Sequence, residues 1–234
     1  MEQLAGQSQV VVVVNPNSPT GTTIPTAAIH QLAARRPRTL WLVDESFIDF
    51  SSEPSLRVTL ETEPLSNVVV LTSLGKSLGV PGLRLGYLYS SNVQILSAVS
   101  GELPIWHVGS LPEYVLEQTL KFQSELLHSL QRTIADREAM RAALGSIDGV
   151  SRVYPSGGNF VLIELHGPPE IASLIRRRLL ADAAIEIKDV THRFPDRIPR
   201  LRLAVRLPKD NARLVAAIRT WLPRASEWQR PNDS

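Results

Sequence analysis

The sequence predicts an α/β protein: a mostly parallel sheet sandwiched by helices, followed by a small C-terminal α+β domain. Three observations carry this. Apolar runs at 9–14, 40–43 and 68–71 are short, continuous and rich in valine and leucine, the pattern of strands buried on both faces of a parallel sheet. Each run ends in a polar cluster, at 15–21, 44–50 and 73–87, and ligands of open α/β sheets bind beyond the carboxyl ends of the strands. From about Val150 the strand and helix patterns mark a second, compact unit.

Taken in order, the three strands are followed by a fourth over 86–90. Ser110-Leu111-Pro112-Glu113 has the form of a capping box with proline in the first turn, and opens a helix. Val115, Leu116, Leu120, Leu127, Leu130, Ile134 and Leu144 recur at helical spacing, with a break on the way. A strand over 159–165, a helix over 169–181, strands over 185–188 and 201–205 and a helix over 209–222 complete the chain. The expected division is a large domain over residues 1–110, a connecting helical region over 111–149, a small α+β domain over 150–225 and a tail over 226–234. The polar end from Arg224 is expected to fray.

Composition narrows the function. The 234 residues include no cysteine, which excludes disulfides and thiolate metal sites. The five histidines are scattered without metal-ligand spacing, so no metal is expected. No secretory leader and no membrane-length apolar stretch is seen, so the expectation is a cytoplasmic protein away from membranes. Arginines cluster at Arg35–Arg36, Arg176–Arg178 and between Arg197 and Arg206, yet the net charge is only +2. Without a groove-reading element these are solvated faces, and no nucleic-acid partner is expected. Trp106 follows Pro104-Ile105 in a loop and is expected in the core; His107 and His192 have no assigned role.

Lys76 is the most informative residue. It lies just beyond an apolar run, in a small-residue loop, with Arg84 eight residues on. That setting suits imine chemistry, because the amine must shed its proton to attack a carbonyl, and desolvation and a nearby cation favour this. Arg84 can also grip a phosphate with its planar fork. Taken alone, the stretch favours a surface lysine in a glycine-rich turn.

Six motifs in order resemble fold-type I pyridoxal-phosphate enzymes of the class I/II aminotransferase superfamily. They are Asn15-Pro16-Asn17-Ser18-Pro19-Thr20-Gly21, Val43-Asp44-Glu45-Ser46-Phe47, Ser73-Leu74-Gly75-Lys76, Pro81-Gly82-Leu83-Arg84-Leu85-Gly86-Tyr87, Ser156-Gly157-Gly158-Asn159-Phe160 and Leu201-Arg202-Leu203-Ala204-Val205. The wording is similar to the histidinol-phosphate aminotransferase and threonine-phosphate decarboxylase branch. The resemblance implies a partial cofactor-binding large domain, with pyridoxal 5'-phosphate as cofactor. It implies that Lys76 forms the Schiff base and shuttles the proton, that Asp44 holds the pyridinium nitrogen protonated, and that Ser73 and Arg84 bind the phosphate. Arg202 would bind the substrate carboxylate, with Asn159 helping to anchor that site. An aspartate after a strand also serves as a cap, Arg202 as an ordinary strand arginine beside Arg200 and Arg206, and Asn159 as a turn residue.

Two positions depart from the pattern. Ser18 stands where relatives place an asparagine that donates to the cofactor ring hydroxyl, and Phe47 where many carry a donating tyrosine. The Phe47 change leans towards the decarboxylase-like members. Relatives also carry a longer N-terminal stretch holding the phosphate-cradling turn, so the sheet is expected to show an unpaired edge and exposed apolar surface. The implied function is an aminotransferase acting on an amino acid through a Lys76 Schiff base, homodimeric in its full-length form. The alternatives are decarboxylation of a phosphorylated amino acid, or a non-catalytic fragment that needs the missing N-terminal sequence.

Overall fold

A computed structural model of the chain describes residues 9–227, with side chains through Leu222. The residues fall into two compact units. The first holds the chain through Gln131 except Pro19–Gly21; the second holds Pro19–Gly21 and the chain from Arg132.

In the first unit, β1 (Val10–Val14), β2 (Leu40–Asp44) and β3 (Val68–Ser73) are parallel neighbours, and β4 (Gly86–Tyr89) runs antiparallel along β3. Val13, Trp41, Val43, Val68 and Val70 share one sheet face and pack under α1 (Thr26–Ala34) and α2 (Leu56–Thr62) through Ile29, Ala33, Leu56 and Leu60. Buried polar groups start both helices. The Thr26 N–H donates to the Glu53 carboxylate at 3.0 Å. The Leu56 N–H donates to Glu45, which is itself buried, at 2.8 Å. These bonds satisfy donors that a helix start leaves orphaned.

The opposite sheet face is open in part. Val12 is 66% exposed, Val10 48% and Leu71 37%. The reading of all three runs as strands buried on both faces is therefore corrected at β1. It pairs on one side only, with β2, and the two core helices cover a single face. The unpaired edge and exposed apolar surface expected of this sheet are present among the described residues.

The helix expected from Ser110 breaks as anticipated. The order runs α3 (Leu74–Ser77), α4 (Val93–Glu102), α5 (Ser110–Lys121) and α6 (Gln123–Gly145), with the break at Phe122. The capping box does not form. Gly109 is the cap residue and Ser110 already lies inside the helix, so its hydroxyl is one position too late. Trp106 is 89% exposed and has φ 65, contrary to its expected place in the core. It sits in a loop between two helices that bury no residue.

In the second unit, β5 (Val150–Val153), β6 (Phe160–Leu165), β7 (Lys188–Asp189) and β8 (Arg200–Ala204) form an antiparallel sheet in the order β5-β6-β8-β7. β6 is buried at all six positions. Val161, Ile163, Leu201 and Leu203 pack with Ile175 and Leu179 of α7 (Glu170–Ala183) and with Leu214 and Ile218 of α8 (Pro208–Glu227). The strand expected over 185–188 pairs only at Lys188 and Asp189. Ala184 takes a left-handed turn that ends α7, and Ile185 and Ile187 pack on the core before the ladder begins. α8 runs on to Glu227, past the expected start of the tail; residues 228–234 lie outside the described part.

Candidate active site

The first unit gathers its polar strand ends on the open sheet face. Asp44 ends β2 and Ser73 ends β3, and the parallel register sets Asp44 beside Leu71. Asp44 Oδ1 accepts the Ser46 N–H at 2.9 Å and the Ser46 hydroxyl at 2.5 Å. The Ser46 oxygen in turn accepts the Ser73 N–H at 3.0 Å. An aspartate bonding to the backbone two residues on is a common turn device. Here it also ties two neighbouring strand ends together. Asp44 Oδ2 accepts from no donor among the described residues, so one carboxylate oxygen remains for a ligand.

Asp44, Ser46, Ser73 and Arg84 line one cleft of about 620 Å³, within the range of small-molecule sites. Arg84 follows a short 3-10 turn, has φ 55, is exposed, and makes no ion pair among the described residues. Two glycines permit this layout. A Cβ on Gly86 would lie 2.6 Å from the Thr72 carbonyl oxygen, and one on Gly75 2.9 Å from Pro81 Cα. The second approach seats the 81–84 turn against the short helix that carries Lys76. Leu71, Leu88, Leu96, Val99 and Leu103 make much of the cleft apolar.

Lys76 is half-buried and does not line this cleft. Its Nζ lies 5.7 Å from the centroid of the buried Phe47 ring. The amine has no hydrogen bond or ion pair among the described residues. Ser18 is half-buried and also outside the cleft lining. It sits in a loop pinned by buried Asn15, whose side chain accepts the Ile24 N–H at 2.8 Å and donates to the Ile24 carbonyl at 3.0 Å. The structure thus brings Asp44, Ser73 and Arg84 together, pairs Lys76 with Phe47, and leaves Ser18 apart.

In the second unit the two neighbouring arginines differ in their surroundings. Arg200 is buried and committed: it donates to Glu164 at 2.8 Å and to Asp196 at 2.6 Å. These carboxylates hold its guanidinium above the ordinary arginine value, Asp196 first. Arg202 instead lines a pocket of about 500 Å³. Its guanidinium lies 4.4 Å from the Phe160 ring centroid. Burial, and then the charge of Arg193, push Arg202 below its ordinary value. Asn159 is half-buried, and its carbonyl accepts the Val205 N–H at 2.9 Å, a strand-end role.

Sequence reasoning missed three polar residues. Ser46 was quoted only as part of a motif. His107 lines the cleft of Asp44 and Arg84. Lys188 is the register partner of Arg202 and lines the same pocket. Arg176, Glu186 and Asp189 line that pocket as well, so both signs of charge meet there. No signal in the sequence sets that register.

Among the described residues, no group of three or more His, Asp or Glu is placed to hold a metal ion, and no helix is long and apolar enough to cross a membrane. The family described as aminotransferase class I and II matches residues 1–218. CMP-5'-(3-aminopropyl)phosphonate synthase of Streptomyces rubellomurinus is 32% identical over 212 residues, covering 88% of this chain and 33% of that protein. Histidinol-phosphate aminotransferase of Ruminiclostridium cellulolyticum is 29% identical, covering 70% of this chain and 45% of its own length. L-serine phosphate decarboxylase of Sulfurospirillum multivorans is 29% identical, covering 92% and 56%. The chain therefore spans between a third and somewhat over half of these relatives. A solved decarboxylase from Sulfurospirillum multivorans superposes with TM-score 0.83 at 27% identity, covering 94% of this chain and 64% of that one. Histidinol-phosphate aminotransferase from Sinorhizobium meliloti, in complex with pyridoxal-5'-phosphate, superposes with TM-score 0.80 at 20% identity, covering 95% and 60%, and shares the fold. With its motifs in order, its fold matched and nearly its whole length covered, the chain belongs to the class I and II aminotransferase family.

Proposed function

We propose that the protein is a pyridoxal-phosphate-dependent aminotransferase acting on an amino acid. The observation that carries this reading is the Ser73–Ser46–Asp44 relay, which leaves Asp44 Oδ2 open in a cleft shared with an unpaired Arg84. The donor set fits the cofactor: an acid with one open oxygen, an arginine and hydroxyls for a phosphate, and, outside the lining of that cleft, the Lys76 amine, with no hydrogen bond or ion pair among the described residues. When bound, pyridoxal phosphate supplies the electron sink that lets a bond at an amino acid's Cα break.

The chain's own residues take distinct parts. Asp44 holds a proton at the ring nitrogen, and Ser46 fixes the carboxylate's orientation. Arg84 and Ser73 bind the phosphate. Lys76 would hold the cofactor at its aldehyde carbon and, once the substrate amine had displaced it there, its freed amine would carry the proton at the substrate Cα. Phe47 shields the face of that amine from water, a part its lack of a hydroxyl does not impair. Ser18 is the candidate partner for the ring hydroxyl. Arg202, with Lys188, binds the substrate carboxylate, and Asn159 sets the strand end beside it. A homodimer is the assembly the resemblance implies, and the exposed apolar residues of α4 and α5 offer surface for it.

The second reading is decarboxylation of a phosphorylated amino acid. Likeness to the Sulfurospirillum multivorans decarboxylase favours it, as does the facing pair Arg202 and Lys188 in a pocket that Arg176, Glu186 and Asp189 also line. Both readings use the same residues and differ in which Cα bond is broken. The test is a visible spectrum of the purified chain with added pyridoxal phosphate, beside Lys76→Ala. A borohydride-reducible band that needs Lys76 is expected. No band, or the same band in the control, would overturn the reading and leave a non-catalytic chain. Keto acid among the products then supports transamination, and carbon dioxide release supports decarboxylation.

A further inference from the structure

Arg137 of α6 is a charged side chain left only 7% exposed, and no part of the proposed chemistry uses it. Burying a guanidinium is costly unless it is well paired, so its partners matter. It pairs with Glu138 at 3.0 Å, and its Nη1 donates to the carbonyl oxygen of Gly158, also at 3.0 Å. Gly158 is buried, and its N–H donates to the Ser156 hydroxyl at 3.1 Å. The glycine is pressed flat against an aromatic ring. A Cβ built on Gly158 would lie 2.5 Å from Phe160 Cε1 and 3.0 Å from two further ring carbons. The Phe160 ring is fully buried, and the Arg202 guanidinium lies 4.4 Å from its centroid.

These contacts form one continuous stack within the second unit: guanidinium, carbonyl, glycine, ring, guanidinium. Arg202 sits on the central strand pair, facing Leu162 on one side and Lys188 on the other, so its backbone is fixed. What the ladder does not fix is the direction of its long side chain. The ring contacts that guanidinium, and the Gly158 peptide against the ring is bound by Arg137.

We infer that Arg137 is a positioning residue: through the Gly158 carbonyl it seats the Phe160 ring, and the ring sets where Arg202 presents its guanidinium to the pocket. This rests on the reading that Arg202 holds a substrate anion. An arginine stacked on a ring loses less side-chain freedom when it binds an anion bidentately, so the stack preorganises the site.

The test uses the full chain, labelled with nitrogen-15, and reads the arginine side-chain Nε–Hε resonances. Arg202→Lys identifies the Arg202 signal, which the Phe160 ring current displaces. In Arg137→Met and in Gly158→Ala that signal is expected to move towards the unstacked position, well below the unfolding temperature. The dissociation constant for inorganic phosphate is expected to rise about fivefold, the equivalent of one ordinary hydrogen bond. Arg137→Lys, which keeps the charge and one donor, is expected to restore part of both. A lowered Tm with the Arg202 signal and the phosphate constant unchanged would overturn the inference and reduce Arg137 to a structural charge. Should Arg137→Met fail to fold, Gly158→Ala decides, since it pushes on the ring with Arg137 in place. If phosphate leaves the parent Arg202 signal unmoved, the anion reading of Arg202 falls. The displacement of that signal in the variants then judges the stack by itself.

Discussion

Ser46 shows how much one hydroxyl can organise. It donates to Asp44 and accepts from Ser73, so a single oxygen spans two strand ends. Ser46→Ala is expected to weaken pyridoxal phosphate binding about tenfold, the scale of a hydrogen bond to a charged group, while the fold survives. A spectral titration reads this, and an unchanged affinity would mean that Asp44 needs no such support. Its neighbour Glu45 points the other way, into the protein. Burial raises its carboxyl above the ordinary glutamate value, against the lowering effect of the Ser55 and Leu56 hydrogen bonds. A carboxyl with a higher pKa folded than unfolded contributes stability below its unfolded pKa and loses it as pH rises through the folded one. Stability is therefore expected to decline from the ordinary glutamate range upward on this account. Glu45→Gln, neutral throughout, is expected to flatten that slope in urea titrations at several pH values. Residue type and position after a strand run nominate Lys76, Asp44 and Arg84, and the structure sets Asp44 and Arg84 in one cleft. Lys188 and His107 were not legible, because register and loop course place them, and neither is written locally.

Among elements, the runs of valine and leucine located β2 and β3 to within two residues, and β6 and β8 as closely. Short apolar runs bounded by turn residues favour strands over helices by their length, although β2 itself alternates between buried and half-buried positions. What the runs could not show was how each strand is covered. β1 reads like its neighbours, yet Val12 faces outward because no second helix layer lies over it among the described residues. The lost strand at 185–187 has a similar cause. Ile185 and Ile187 are apolar at strand spacing, but the left-handed Ala184 delivers them to the core ahead of the ladder. The 74–84 segment depends instead on close approach. Gly75→Ala sets a Cβ against the Pro81 backbone and is expected to cost about 1–3 kcal/mol, as overpacking does. It is also expected to shift Arg84 and weaken cofactor capture. Capture equal to the parent's would show that this contact does not position Arg84.

At the scale of the molecule, two cores are separate in composition: one built on β1–β3 with α1 and α2, the other on β5–β8 with α6, α7 and α8. Leu144 is fully buried in the second. Leu144→Ala is expected to cost about 3 kcal/mol there, from lost transfer energy and the cavity left behind. Hydrogen exchange should show β6 amides losing protection while those of β2 keep theirs; equal loss in both would mean that the cores act as one. The family's fold was readable from motif order, because six short signals in sequence constrain topology more than any one of them. The contributions of the 15–24 loop were not, since they arise from where a turn folds back. That loop lends Pro19–Gly21 to the second unit, where the Gly21 carbonyl takes the Gly157 N–H at 2.8 Å and a Cβ on Gly21 would strike Ser156. For anyone dissecting the protein, the C-terminal half is thus not a contiguous piece of sequence. A polypeptide begun at Arg132 would leave a buried amide without its acceptor and a hollow the size of a glycine turn beside Ser156. Supplying a peptide that contains residues 15–24 in trans is the natural way to fill it.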